Sequence, residues 1–101
     1  MDTIQEKVLP KLSLLDKKEQ HKVLLVTGEA GMSMPEHIST MEAVVIIQAG
    51  EAIFEIDNKN YNLKKDDVFI VPAGVKHRLI IQSSLRAVVI MDIDSQIEFI
   101  N

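Results

Sequence analysis

Asp66-Asp67-Val68-Phe69-Ile70-Val71-Pro72-Ala73-Gly74-Val75-Lys76-His77-Arg78-Leu79-Ile80-Ile81 is the stretch that decides how this chain folds. Two apolar runs, Val68–Val71 and Leu79–Ile81, read as strands on either side of a Pro72-Ala73-Gly74 corner. Proline presets φ there and glycine tolerates positive φ, so the backbone can turn sharply between two buried strands. On the two-residue strand period, His77, Leu79 and Ile81 share one face while Lys76 and Arg78 point the other way. One histidine therefore faces inward among aliphatics.

Working outward gives more strands and tight turns. Lys64-Lys65-Asp66 turns into the quoted stretch, with Asp66 suited to the left-handed region by its short side chain. Before it, Asp57-Asn58-Lys59-Asn60 closes a hairpin between residues 52–57 and Tyr61-Asn62-Leu63. Residues 42–49, with β-branched Val44-Val45-Ile46-Ile47, form a strand that is apolar on both faces and ends in a turn at Gly50. Residues 32–41 form a loop and short strand bearing His37 and Ser39, and residues 21–27 form a strand ended by Gly28-Glu29-Ala30-Gly31. Gly28–Gly31 lacks the Lys-Ser/Thr ending of a phosphate loop and reads as a turn. Downstream, Leu85–Asp92 is a further strand, and the alternating tail 96–100 fits an edge strand whose apolar side chains need a cover, a second subunit being the natural one. Residues 1–20 read as an N-terminal arm, helical up to Pro10 and extended after it, leading into one domain over 21–101. About eight short strands without helices between them imply an all-β antiparallel sandwich or barrel.

A chain of 101 residues has one core, and 47% hydrophobic residues make it too apolar for disorder. A net charge of −4 with scattered basic residues argues against nucleic-acid binding. With no cysteine there is no disulfide framework, thiolate nucleophile or cysteine zinc site. The apolar runs are only a strand long, and Met1–Lys7 lacks the basic-then-apolar order of a secretory signal; no membrane partner and a cytoplasmic location are expected.

The quoted stretch resembles the second motif of the cupins, small double-stranded β-helix (jelly-roll) proteins. Pro72, Gly74 and His77 fall on that motif, with Asp66 in place of its first glycine and Ile81 in place of its asparagine. Gly31, His37, Ser39, Ala43 and Gly50 reproduce the spacing of the first motif. The resemblance implies a divalent ion held by three histidines and a glutamate, yet Ser39 stands at the second histidine and Ala43 at the glutamate. His37 and His77 remain as candidate ligands for nickel, zinc, manganese or iron. Two imidazoles without a carboxylate make a weak site, because nothing offsets the ion's charge. Glu36 and Glu42 adjoin inward positions and so face outward on a regular strand. The resemblance also implies a homodimer through outer sheet faces, with which outward Val44 and Ile46 are compatible.

Three functions follow as expectations. The leading one is a small-molecule-binding or sensing module whose pocket comprises His37, Ser39, Ala43 and His77, walled by Val45, Ile47, Leu79 and Ile81. There, imidazoles and a hydroxyl would orient a carboxylate or hydroxyl group. The second is a metal-dependent isomerase or dioxygenase using His37 and His77, and the third is a structural dimerisation module. Against all of these stands a plainer role for the histidines, lining a small polar cavity and hydrogen-bonded to Ser39, backbone or water. Met32, Met34 and Met41 read as packing over a barrel mouth, His21 as a surface residue, and Ser39 lacks the elbow motif of a nucleophile.

Overall fold

The strands of the computed structural model, which describes residues 9–100, are β1 Lys11–Lys17, β2 His21–Gly28, β3 Ser33–Ser39, β4 Ala43–Ile56, β5 Lys59–Lys64, β6 Val68–Val71, β7 His77–Asp92 and β8 Ile97–Phe99. Every pairing is antiparallel, and no helix occurs among the described residues. This is the all-β antiparallel barrel that the strand spacing implies, in the jelly-roll form that the cupin resemblance implies.

Two long strands create it. The first half of β4 pairs with β6 and with the second half of β7, as in Val45↔Phe69 and Val45↔Val89. Its second half pairs with β5 and with the first half of β7, as in Phe54↔Tyr61 and Phe54↔Leu79. Strands β2 and β1 continue the first sheet, while β3 and β8 continue the second. The inner faces meet in one core that includes Leu24, Val45, Ile47, Phe54, Leu79 and Met91.

Two sequence expectations need correction. Gly50 does not end a strand, and Leu79–Ile81 and Leu85–Asp92 are not separate: β4 runs for 14 residues and β7 for 16. Gly50 instead sits at a β-bulge where the register with β7 shifts repeatedly between Ile47 and Ala52. Inward positions are Ala43, Val45 and Ile47 before it and Ala52, Phe54 and Ile56 after it. The extra residue switches the parity, so a bent strand keeps one face on the core across both sheets. Gly50 adopts φ +81, and an added Cβ would lie 2.0 Å from the Ser84 carbonyl oxygen on β7. Only glycine lets the two strands bend this closely together.

Other turns follow the sequence. Asp57 and Asn58 both take positive φ, 51° and 63°, and the two-residue loop joins Ile56 to its partner Lys59, the combination that matches strand twist in a tight hairpin. Asp66 occupies the left-handed region at φ 76, as its place in the glycine position implies. The extended piece after Pro10 is β1, paired along β2; the helix expected before Pro10 falls on residues 1–8, outside the described part. The tail strand is β8, paired with β3.

The first sheet carries a second apolar layer on its outside. Ile70, Val44, Ile90 and Val23 pair across β6, β4, β7 and β2 in one row, and Val68, Ile46, Val88 and Leu25 in the next. Val68 and Ile70 are largely exposed, and the residues between are half-buried.

Candidate functional site

His37 on β3 and His77 on β7 are direct cross-strand partners. Both point inward, because a register irregularity between Met34 and His37 places Met34, His37 and Ser39 on the core face. Cross-strand partners hold their Cβ atoms about 5 Å apart, which brings the imidazoles to a centroid separation of 4.1 Å at 65°. Both residues are at most 5% exposed. The Pro72-Ala73-Gly74 corner is tied to the same place, since the Gly74 N–H donates to the Ser39 carbonyl at 2.8 Å. The two motifs of the sequence thus meet at one spot.

Each ring is fixed by its own approach strand. His37 Nδ1 lies 2.7 Å from the Pro35 carbonyl oxygen, and His77 Nδ1 lies 3.0 Å from that of Val75. A carbonyl only accepts, so Nδ1 carries the proton in both rings and each neutral imidazole keeps its lone pair on Nε2. Burial is the main influence holding both below the usual histidine pKa, and the backbone hydrogen bonds oppose it. The neighbouring His77 lowers His37 further. The site is therefore uncharged at neutral pH.

A cavity of about 50 Å³ lies beside the pair. Its lining brings together all four expected residues, His37, Ser39, Ala43 and His77, with Val45, Ile47 and Leu79 among the walls. Ile81 is buried but is not part of this wall; its Cδ1 packs close to Gly28. The cavity is apolar rather than polar, and Ser39 does not bond the histidines. Its hydroxyl is buried with no hydrogen-bond partner among the described residues. Glu42 is exposed, and Glu36 faces an outer groove with Glu55 and Arg78, as strand parity requires. Of the three methionines around His37, Met34 lines the cavity, Met32 packs against the core and Met41 is exposed.

Several lining residues were not singled out from the sequence. Met91, Val71 and Phe54 come from strands read only as core, and Leu12 and Ile97 come from the two terminal strands. Phe54 lies 5.6 Å from His77, and Phe99 of β8 lies 5.2 Å from His37. The parity of Phe54 and Met91 marks them as inward, but only the tertiary fold brings them to the histidines.

The family model described as a cupin domain matches residues 24–94. The chain belongs to the cupin family. Among solved structures, a cupin superfamily protein from Desulfitobacterium hafniense is 22% identical, with a TM-score of 0.77 over 91% of this chain and 84% of that one. A conserved protein with a double-stranded β-helix domain from Klebsiella pneumoniae is 14% identical, with a TM-score of 0.80 over 97% and 90%. A DMSP lyase from Ruegeria pomeroyi is 21% identical with a TM-score of 0.79, covering 90% of this chain but 51% of that one. At these identities the likeness shows the fold. A search of curated proteins gave no match.

Cupins often hold a metal ion, and the fit of this cupin's donors is poor. No group of three or more His, Cys, Asp or Glu side chains converges among the described residues. Ala43, at the position of the ligand carboxylate, is buried beside apolar neighbours. An ion here would have two neutral imidazoles and one hydroxyl, with no anionic ligand in a low-dielectric setting.

Proposed function

We propose that this cupin is a binding or sensing module for a small organic molecule, which sits in the cavity beside His37, Ser39, Ala43 and His77. The observation that carries the reading is the Ser39 hydroxyl, buried and unpartnered beside two imidazoles whose only hydrogen bonds to described residues are made at Nδ1. Leaving a buried polar group unpaired costs about 1–3 kcal/mol. A cavity with one such group and two imidazoles in an otherwise apolar wall has the usual form of a small-ligand site. Its volume of about 50 Å³ suits a small molecule or the head of a larger one. Met34 and Met91, flexible thioethers in the wall, would let it enlarge.

The test is a small-molecule library screened by thermal stabilisation against the parent and His77→Ala. A ligand that binds the folded state raises its melting temperature by mass action. Compounds that stabilise the parent and not the variant support the reading; equal responses from both overturn it.

We also propose a homodimer through the outer face of the first sheet, in the reducing cytoplasmic setting that a cysteine-free sequence fits. Four strands at about 4.8 Å and three residues at about 3.4 Å give its aliphatic plaque a span of roughly 19 by 10 Å. Rimmed by polar residues such as Arg86, Gln48 and His21, that plaque would form the core of an interface of the standard size, about 800 Å² per partner.

A further inference from the structure

Resting on the binding reading above, we infer that the cavity selects an uncharged hydrogen-bond donor head, an alcohol O–H or an amide N–H, and rejects carboxylates. The geometry of the two rings decides this. Both Nδ1 atoms face backbone carbonyls at 2.7 and 3.0 Å, so both protons are committed to groups that only accept. What each ring has left to offer an occupant is the lone pair on Nε2, on two cavity-lining rings whose centroids are 4.1 Å apart. Two neighbouring acceptors in an apolar wall call for donors. The Ser39 hydroxyl, buried and unpartnered, adds one group that can donate or accept, which matches the carbonyl half of an amide or the oxygen of an alcohol.

A carboxylate meets the opposite situation. It brings only lone pairs toward two lone pairs, and no lysine or arginine lines the cavity to offset its charge. It would have to leave water for aliphatic walls, with the single Ser39 hydroxyl as donor. The expectation that these groups orient a carboxylate as readily as a hydroxyl therefore narrows to the hydroxyl and its donor relatives. Size sets the scale of the head. A cavity of about 150 Å³ takes benzene, with six heavy atoms, so about 50 Å³ takes a head of two or three.

Formamide and formate are matched three-atom probes that differ in charge and in the presence of N–H, and acetonitrile is an uncharged probe of three heavy atoms with neither N–H nor O–H. Long-range ¹H–¹⁵N NMR of the metal-free protein follows the Nε2 resonances of His37 and His77 during titration with each. Formamide is expected to shift both Nε2 signals saturably, with acetonitrile weaker by about tenfold for the missing donor bond and formate weaker by at least about a hundredfold. The formamide response is expected to vanish from the remaining His37 signal in His77→Phe, which keeps an apolar ring in place. Formate binding at these nitrogens as tightly as formamide overturns the donor selectivity while leaving the binding reading intact. Silence of both Nε2 signals toward all three probes overturns both. Stoichiometric capture of added Zn²⁺ by the two nitrogens makes the site a cation site and overturns the inference as well.

Discussion

Gly50→Ala tests the bend that puts the site together. The glycine lies at φ +81, and an alanine Cβ would stand 2.0 Å from the Ser84 oxygen, 2.6 Å from the Ser84 carbonyl carbon and 2.8 Å from the Ser83 oxygen. These are backbone atoms, so no side chain can swing away; β4 and β7 must separate at their closest point. The left-handed backbone costs about 1–2 kcal/mol for a residue with a Cβ, and forced separation of packed strands adds roughly 1–3 kcal/mol. The total of about 2–5 kcal/mol corresponds to a fall in melting temperature of roughly 10–30 °C for a domain of this size. Gly74→Ala is the internal control: φ is +71, but nothing lies within 4 Å of the added Cβ, so only the backbone cost applies. Both variants are measured by thermal and urea unfolding. If Gly50→Ala is no less stable than Gly74→Ala, the close approach of the two strands is not what the bulge exists to allow.

Four further outcomes follow from the site and the sheet. His37 and His77 are held below the unfolded histidine value of 6.5 by burial, so the unfolded chain binds more protons; stability is complete above about pH 6.5 and declines as pH falls below it. The slope should flatten in a His37→Phe, His77→Phe variant, and an unchanged slope would contradict the burial of neutral imidazoles. Ser39→Ala removes a buried, unpartnered hydroxyl, so denaturant unfolding of the ligand-free protein should show no loss of stability and a gain of up to about 1–3 kcal/mol; a loss above about 1 kcal/mol would mean that the hydroxyl is already well bonded. Ala43→Glu with Ser39→His restores the ligand set that the family resemblance implies, and Ni²⁺ or Zn²⁺ should raise its melting temperature strongly while leaving the parent nearly unchanged. Ile70→Lys puts a charge on the outer plaque at a residue 58% exposed in the single chain, so folding should survive while light scattering shows a monomer in place of the proposed dimer; a monomeric parent would remove the interface.

Much of this was legible in the sequence because strand parity and turn chemistry are local. His77, Leu79 and Val45 alternate where a two-residue period puts them, and Asp66 took the left-handed turn that a glycine position implies. The inward direction of His37 and its neighbours could be read from the spacing of the first motif. Gly50 misled because a glycine after an apolar strand signals a turn and a bulge with the same residue; only pairing with Ser83 and Ser84, more than thirty residues away, distinguishes them. The full extent of the apolar wall was missed for a related reason. Local reading sees the histidines, Ser39 and the inward Val45, Ile47 and Leu79, but Leu12, Phe54, Val71, Met91 and Ile97 join that wall only through long-range pairing. The tautomers, set by the carbonyls of Pro35 and Val75, depend on hydrogen-bond geometry that no residue pattern encodes.

The most direct test of the account is the metal content of untagged protein purified without chelators, measured by elemental mass spectrometry beside a His37→Ala, His77→Ala double variant. A neutral pocket for an organic ligand predicts nickel, zinc, manganese and iron far below one per chain, at the same level in both proteins. Near-stoichiometric metal in the parent, lost from the double variant, would contradict it.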